Sequence, residues 1–223
     1  MTDMTLTRPG GWAALGCAAT YLIGFALLLT VLAPLNFGTA RMDPAAVTAF
    51  LHARPGVMIA WYSTIYVVNA LALAVLVVAL GQRLAPSGWA PITRALGLIW
   101  ATLVLGAGMI ANVTVETVAH LYATDPAAAA DLWQVLHTVE LGLGGGNEIA
   151  GGAWIACVSL GGAGLRILPR ALAALGLLTG IGGLATIVPP LGEVAGALFG
   201  LGAIAWFLAL GAVLLARPHP IQP

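Results

Sequence analysis

The chain has 223 residues, of which 61% are hydrophobic and only 7% are charged, and its formal net charge is zero. A soluble domain carries about 25% charged residues, so this composition excludes an ordinary soluble protein and indicates an integral membrane protein. The neutral charge balance also gives no support for a nucleic-acid partner, and the lipid bilayer is the expected surrounding.

Six apolar runs are long enough to cross a membrane, because a spanning helix needs about 20 apolar residues. They cover about residues 12–34, 57–82, 94–121, 132–164, 171–189 and 192–216. The sequence therefore predicts an all-α protein with a single transmembrane domain, residues 1–223. Its architecture is a polytopic integral membrane bundle of six transmembrane helices.

A short helix is predicted between the first and second runs. Asp43 suits the N-cap position, and Pro44 suits the first helical position. Val47 and Leu51 then recur four residues apart on one face. We expect this segment to lie on the outer surface of the membrane as an interfacial helix that ends before Pro55.

The arginines predict the orientation, since positively charged loops stay in the cytoplasm. In the six-span arrangement, Arg41 and Arg54 lie on one side of the membrane. The other side carries Arg8, Arg83, Arg94, Arg166, Arg170 and Arg217. Both termini are therefore predicted to be cytoplasmic. The use of arginine alone as the basic residue, with abundant alanine and glycine, is typical of a GC-rich bacterial genome, so the expected location is the bacterial cytoplasmic (inner) membrane.

Three neighbouring runs each carry a polar face. The face on the second run consists of Tyr62, Tyr66 and Asn69, and the face on the third consists of Asn112, Glu116 and His120. The face on the fourth consists of Trp133, His137, Glu140 and Glu148, with Asn147 beside the last. Helix geometry places most of these groups at a similar depth, with Glu148 near the midplane. We expect them to converge in a pocket that opens outward.

Ionisable side chains inside a bilayer need compensation, because each costs roughly 2.5–3.5 kcal/mol near the centre. Carboxylate and imidazole groups on facing helices are one way in which helical bundles build metal sites. The predicted ligands are Glu116, His120, His137 and Glu140, and this donor set suits Zn, Fe, Mn or Cu. Glu140 is either a fourth ligand or a catalytic general base. Two alternatives stay open, namely buried pairs that only orient the helices, and acid–base or proton-transfer chemistry without metal.

Glycines mark two further features. The segment 143–152 contains five glycines and has weak helix propensity, which indicates either a broken helix at a binding site or close packing of an intact one. Gly192, Gly196 and Gly200 recur every four residues on the last run. Such a small-residue face favours close helix packing, within one chain or in a homo-oligomer.

The stretch Gly164-Leu165-Arg166-Ile167-Leu168-Pro169-Arg170-Ala171-Leu172 leads into the fifth run. Together with the six-span plan and the surface segment, it resembles a bacterial membrane family, domain of unknown function 4386, in which a similar turn enters the fifth helix. Here the glycine that ends the pattern comes later, at Gly176. The resemblance implies six membrane helices over nearly the whole chain and no catalytic residue.

The leading functional hypothesis is a metal-dependent membrane enzyme that acts on a lipophilic or small periplasm-side substrate. The first alternative is a proton- or cation-coupled transporter of a small molecule or ion, in which Glu148 carries the proton and Glu140 relays it. The second is a structural or partner-binding membrane protein.

Overall fold

The computed structural model describes residues 6–85, 87–145 and 148–216. Within these ranges every regular element is helical. The α-helices of the described residues, in chain order, are α1 (Thr7–Thr30), α2 (Pro44–Ala53), α3 (Pro55–Tyr62), α4 (Asn69–Arg83), α5 (Trp89–Tyr122), α6 (Pro126–Glu140), α7 (Ile149–Gly164), α8 (Arg170–Ala185) and α9 (Gly192–Ala216). The all-α fold predicted from the sequence is confirmed.

Four helical stretches in the described residues are long and apolar enough to cross a membrane. They are Thr7–Thr30, Pro55–Arg83, Trp89–Tyr122 and Pro189–Ala216, and they correspond to the first, second, third and sixth predicted spans. The second of these stretches joins α3 to α4 through a π-helical segment, Ser63–Val68.

The fourth and fifth predicted spans are not among these four stretches, for physical reasons. The run 132–164 is not one helix, because a π-helical segment, Leu141–Gly145, follows α6 and Gly144 has φ 139°, a conformation outside any α-helix. Helix α8 has 16 residues and therefore measures about 24 Å, less than the roughly 30 Å hydrocarbon core. The glycine-rich segment thus breaks its helix, as one of the two interpretations of the sequence predicted.

The predicted short helix between the first two spans is confirmed as α2. The Asp43 carboxylate accepts a hydrogen bond from the Ala45 N–H at 3.0 Å, and Pro44 occupies the first turn. Val47, Thr48 and Leu51 are buried, so α2 packs on the bundle through one face. It lies at the end of the bundle where α1 ends and α3 begins, and we call this end the α2 end.

Two apolar clusters divide the bundle along its length. The cluster near the α2 end includes Leu32, Val47, Leu51, Met58 and Val115. The cluster in the opposite half is built on large aromatic side chains that are almost completely buried: Trp100, Trp154, Trp206, Phe199 and Phe207. Aromatic rings bury more area than other side chains, so this second cluster fills its half of the bundle with solid packing.

The glycine face of α9 is only partly used within the chain. A Cβ atom on Gly200 would lie 3.2 Å from the Phe25 ring, whereas Gly192 and Gly196 have open space beside them among the described residues. Association of two chains through this face stays a prediction.

Close packing of α7 on α8 depends on glycine. A Cβ atom on Gly152 would lie 2.7 Å from the Gly180 carbonyl oxygen and 2.8 Å from the Leu184 nitrogen, both of them main-chain atoms. Main-chain atoms in a helix cannot move aside as a flexible side chain can.

We therefore expect Gly152→Ala to lower the free energy of unfolding by about 1–3 kcal/mol, the usual cost of overpacking. Unfolding of the purified protein in detergent, followed by circular dichroism, measures this change. Gly106→Ala is the matched control, since among the described residues nothing outside its own stretch of helix lies within 4 Å of its Cβ position, and alanine favours a helix. Equal stability of wild type and Gly152→Ala would contradict the packing of α7 on α8.

Candidate functional site

A cavity of about 480 Å³ lies between α1, the loop that follows it, the α3–α4 stretch and the break between α6 and α7. Its walls are mainly apolar and aromatic. The side chains with polar atoms that line it are Tyr21, Thr39, Trp61, Tyr66, Asn69, His137, Glu140 and Glu148. The sequence prediction of a pocket between neighbouring helices thus has a counterpart in the structure, although α1 and its loop contribute much of the wall.

The Glu140 carboxylate connects two other side chains of the pocket. The Tyr66 hydroxyl donates a hydrogen bond to Glu140 Oε1 at 2.5 Å, and His137 Nδ1 lies 2.7 Å from Glu140 Oε2. An ionised carboxylate only accepts hydrogen bonds, so this arrangement assigns the proton of a neutral His137 ring to Nδ1. Glu140 is 3% exposed and His137 is 8% exposed, so the hydrogen-bond network of Tyr66, Glu140 and His137 lies inside the bundle.

Local irregularities of the backbone bring the residues of this hydrogen-bond network together. Tyr66 belongs to the π-helical segment Ser63–Val68, and Glu140 is the last residue before the π-helical segment Leu141–Gly145. A π-turn adds a residue to one helical turn and so changes the direction of the side chains around it; such turns are frequent at functional sites. Both partners of the Tyr66–Glu140 hydrogen bond therefore lie in or beside a distorted turn.

Aromatic side chains hold the His137 ring on two sides. The Trp133 ring stacks on it with 4.6 Å between centroids and 16° between planes. The Phe37 ring lies 5.7 Å away at 56°. Phe37 also contacts Trp61 edge to face at 5.4 Å. The imidazole thus has little rotational freedom, which fixes its Nδ1 toward Glu140.

The second-span residues predicted for the pocket take different roles. Tyr66 and Asn69 line the cavity, whereas Tyr62 lies behind Tyr66 and stacks on its ring at 5.9 Å. The Asn69 amide is already used within the protein, since Nδ2 donates to Thr20 Oγ1 at 2.7 Å. Asn69 therefore ties α4 to α1 at the floor of the cavity.

Glu148 lies at the break between α6 and α7. Its main-chain N–H donates to Thr186 Oγ1 at 3.3 Å, and its side chain lines the cavity. The neighbouring predicted pocket residue, Asn147, lies outside the described residues.

The structure does not bring the third-span residues to this site. Glu116 and His120 are exposed, and His120 Nδ1 bonds to the main-chain oxygen of Glu116 at 3.0 Å. Asn112 donates to Ser63 Oγ at 3.0 Å and does not line the cavity. The physical reason is that α5 buries another stripe toward the core, consisting of Ala111, Val115 and Val118. The spacing by four does give a common face, but Asn112 contacts Ser63 outside the cavity and Glu116 and His120 are exposed.

This placement separates the four predicted metal ligands into two pairs. His137 and Glu140 are adjacent, while Glu116 and His120 lie on the exposed face of α5. Among the described residues, no three His, Cys, Asp or Glu side chains are grouped so that they could hold a metal ion. A site for Zn, Fe, Mn or Cu stays a hypothesis that would need ligands other than those four.

Sequence reasoning missed the contribution of the loop after α1. Asn36 has φ 50° and Gly38 has φ 76°, so two left-handed residues turn the chain on both sides of Phe37. This turn folds the Phe37 ring back onto Trp61 and His137. An apolar residue between Asn and Gly was the available signal, because both flanking types favour turns.

Comparison of the chain with protein-family models, with curated proteins and with solved structures gives no match. The resemblance to domain of unknown function family 4386 therefore stays a prediction, and the case for function is built on the site itself.

The Tyr66–Glu140 hydrogen bond gives a direct test of the site. A hydrogen bond to a charged group contributes about 1.5–3 kcal/mol, so we expect Tyr66→Phe to lower the free energy of unfolding by about that amount. In a Glu140→Leu background the same change should cost much less, with a coupling energy of about 0.5–3 kcal/mol. Denaturation in detergent of the two single variants and the double variant measures this cycle.

Tyr122→Phe is the matched control for this cycle. Tyr122 stacks on His52 at 5.1 Å, a contact that phenylalanine keeps, so its effect should be small and independent of Glu140. Strictly additive effects of Tyr66→Phe and Glu140→Leu would contradict the hydrogen bond.

Proposed function

We propose that this is an integral membrane protein that binds one small, mainly apolar molecule in the cavity, with Glu140 as the polar anchor. The observation that carries the proposal is a cavity of about 480 Å³ with the buried, hydrogen-bonded Glu140 carboxylate in its wall. Sites for small molecules are typically about 300–1,000 Å³, mostly apolar, and have a few fixed polar groups. This cavity matches that description in size and in chemistry.

The rim of the cavity supports entry of the ligand from the membrane or from the outer side of the membrane. In the proposed topology, α6 and α7 cross the bilayer together as one broken span, and α8 completes six. The distribution of arginines supports a topology in which the α2 end lies outside the bacterial inner membrane. Leu141, which lines the cavity, is 38% exposed, so part of its rim is apolar surface.

The packing in the half of the bundle away from the α2 end supports a cavity that is closed on that side. Trp100, Trp154 and Trp206 are almost completely buried there, and the Trp154 and Trp206 rings meet edge to face at 5.7 Å. Among the described residues, these rings fill the interior of that half with close packing. A binding protein or an enzyme fits this one-sided arrangement.

An enzyme remains compatible with the same residues. The Glu140–His137 pair can accept and return a proton, which is the role of a general base. The metal-dependent version has less support than the binding proposal, because Glu116 and His120 are exposed on α5.

Blocking the cavity tests the proposal. Leu28 lines the cavity, and its neighbour Leu29 is 73% exposed. The probe is neopentylbenzene, a neutral compound with an aromatic ring and a branched alkyl group, applied in radiolabelled form to the protein in phosphatidylcholine nanodiscs. We expect saturable binding at one site per chain, a loss of at least about tenfold in Leu28→Trp, and no change in Leu29→Trp. Equal binding by both variants would place the probe elsewhere and contradict the proposal.

Proton-coupled transport is a second candidate, favoured by the helix break. Transporters often place a discontinuous helix at a binding site near the membrane midplane. Here Gly144, with φ 139°, and Glu148 both line the cavity at the break between α6 and α7. A transporter would add to the binding proposal a second conformation, open toward the other end.

For this candidate we expect a cationic probe, benzyltrimethylammonium, to change the internal pH of proteoliposomes that contain the wild-type protein and a trapped pH-sensitive dye. Glu148→Gln should abolish that pH change, because an amide cannot carry the proton, while probe binding in nanodiscs persists. Glu193→Gln, a change in an exposed residue at the start of α9, should behave as wild type. Binding of the probe without any pH change in the wild type would exclude coupled transport of this probe.

A further inference from the structure

We infer that the cavity selects an organic cation, namely a quaternary or protonated amine with apolar substituents. This inference rests on the proposed binding function and adds the chemical class of the ligand. It follows from the hydrogen-bond roles, the charges and the aromatic rings on the cavity wall.

Most of the side-chain donors on the wall are used inside the protein. The Tyr66 hydroxyl donates to Glu140, the Trp61 indole N–H donates to the Gly24 oxygen at 3.1 Å, and the Asn69 amide donates to Thr20. The Thr39 hydroxyl likewise donates to a main-chain oxygen, that of Asn36, at 2.8 Å. A ligand that needs donors from the protein, such as a carboxylate or a phosphate, therefore finds few of them here.

Acceptors remain on the same wall. Each oxygen of the Glu140 carboxylate has one hydrogen-bond partner and can accept another, because a carboxylate has about four acceptor positions. Glu148 supplies a second carboxyl group, and His137 Nε2 is an acceptor when its proton is on Nδ1. The excess of acceptors over donors favours a ligand that carries donors or a positive charge.

The charges on the wall point the same way. The described lining residues include the acidic side chains of Glu140 and Glu148 and the imidazole of His137, and none of them is lysine or arginine. With Glu140 ionised and accepting hydrogen bonds from Tyr66 and a neutral His137, the wall carries a negative charge that no described basic lining residue balances. In an environment of low dielectric constant, a ligand cation compensates that charge far more strongly than in water.

The aromatic side chains give the cation further contacts. Tyr21, Phe25, Phe37, Trp61 and Tyr66 all line the cavity. Ring faces attract cations, and cages of aromatic rings are a recurrent way to bind quaternary ammonium groups. The Phe37 and Trp61 rings stand at 85° to one another, so they offer surfaces in two directions.

The size of the cavity favours a ligand larger than a bare inorganic ion. A volume of about 480 Å³ with mainly apolar walls accommodates alkyl or aryl groups around the charged nitrogen.

The test compares benzyltrimethylammonium with its neutral isostere neopentylbenzene, in which a carbon atom replaces the nitrogen. Both radiolabelled probes are titrated against the wild-type protein in phosphatidylcholine nanodiscs, whose lipid has no net charge, with empty nanodiscs as background. We expect the cation to bind at least about tenfold more tightly than the isostere. Phe37→Leu should reduce this ratio about threefold or more by removing one ring, and Glu140→Gln should reduce it further. Glu193→Gln should leave the ratio unchanged.

The outcomes separate the ligand class from the existence of the site. Equal or weaker binding of the cation in the wild type, with both probes lost in Leu28→Trp, would overturn the cation inference and keep the binding proposal. Absence of saturable binding for both probes in the wild type would overturn the two together. The wild-type ratio alone decides the ligand class, so the test does not depend on the folding of a Glu140 variant.

Discussion

The carboxylate of Glu140 lies in the interior of an apolar helical bundle, where an ionisable group without partners costs roughly 2.5–3.5 kcal/mol in a membrane. Tyr66 and His137 each provide one hydrogen bond to it, from two different parts of the chain. The arrangement of the site follows from this need for hydrogen bonds, because Tyr66 and His137 must both be held within hydrogen-bonding distance of Glu140. Trp133 and Phe37 fix the imidazole ring, and Tyr62 supports the phenol ring.

The helix break and the cavity are connected by geometry. A regular helix through residues 141–148 would continue the predicted fourth span past the site. Instead the chain departs from α-helical geometry directly after Glu140, and the residues of the break, Gly144 and Glu148, become part of the cavity wall. Irregular backbone inside a membrane is tolerated where it lines a cavity or is buried in protein. The cavity and the break in the helix are therefore parts of one site.

The sequence predicted the parts of the structure that depend on local chemistry. Helix α2 followed from its cap at Asp43 and from the apolar spacing of Val47 and Leu51, and the adjacency of His137 and Glu140 followed from helical periodicity. Weak helix propensity in the glycine-rich segment indicated that a break was one of two outcomes. Each of these signals is contained within a few residues.

The parts that the sequence did not predict depend on how helices rotate against one another. Glu116 and His120 do share a face with their i, i+4 spacing, yet α5 turns the apolar stripe of Ala111 and Val115 toward the core. Periodicity defines faces and cannot say which face of a helix that is apolar nearly all round meets its neighbours. The return of Phe37 onto His137 is a contact between distant residues, which no local pattern encodes.

The position of the proton on the His137 ring tests most directly whether the hydrogen-bond network of Tyr66, Glu140 and His137 exists. Nitrogen NMR of the protein labelled in its four histidines, with His137 assigned by substitution, reports the position of the ring proton. We expect a proton on Nδ1 in a strong hydrogen bond, with a resonance that shifts on Glu140→Gln while that of the exposed His120 does not. A His137 ring with the spectrum of His120, unaffected by Glu140→Gln, would contradict it.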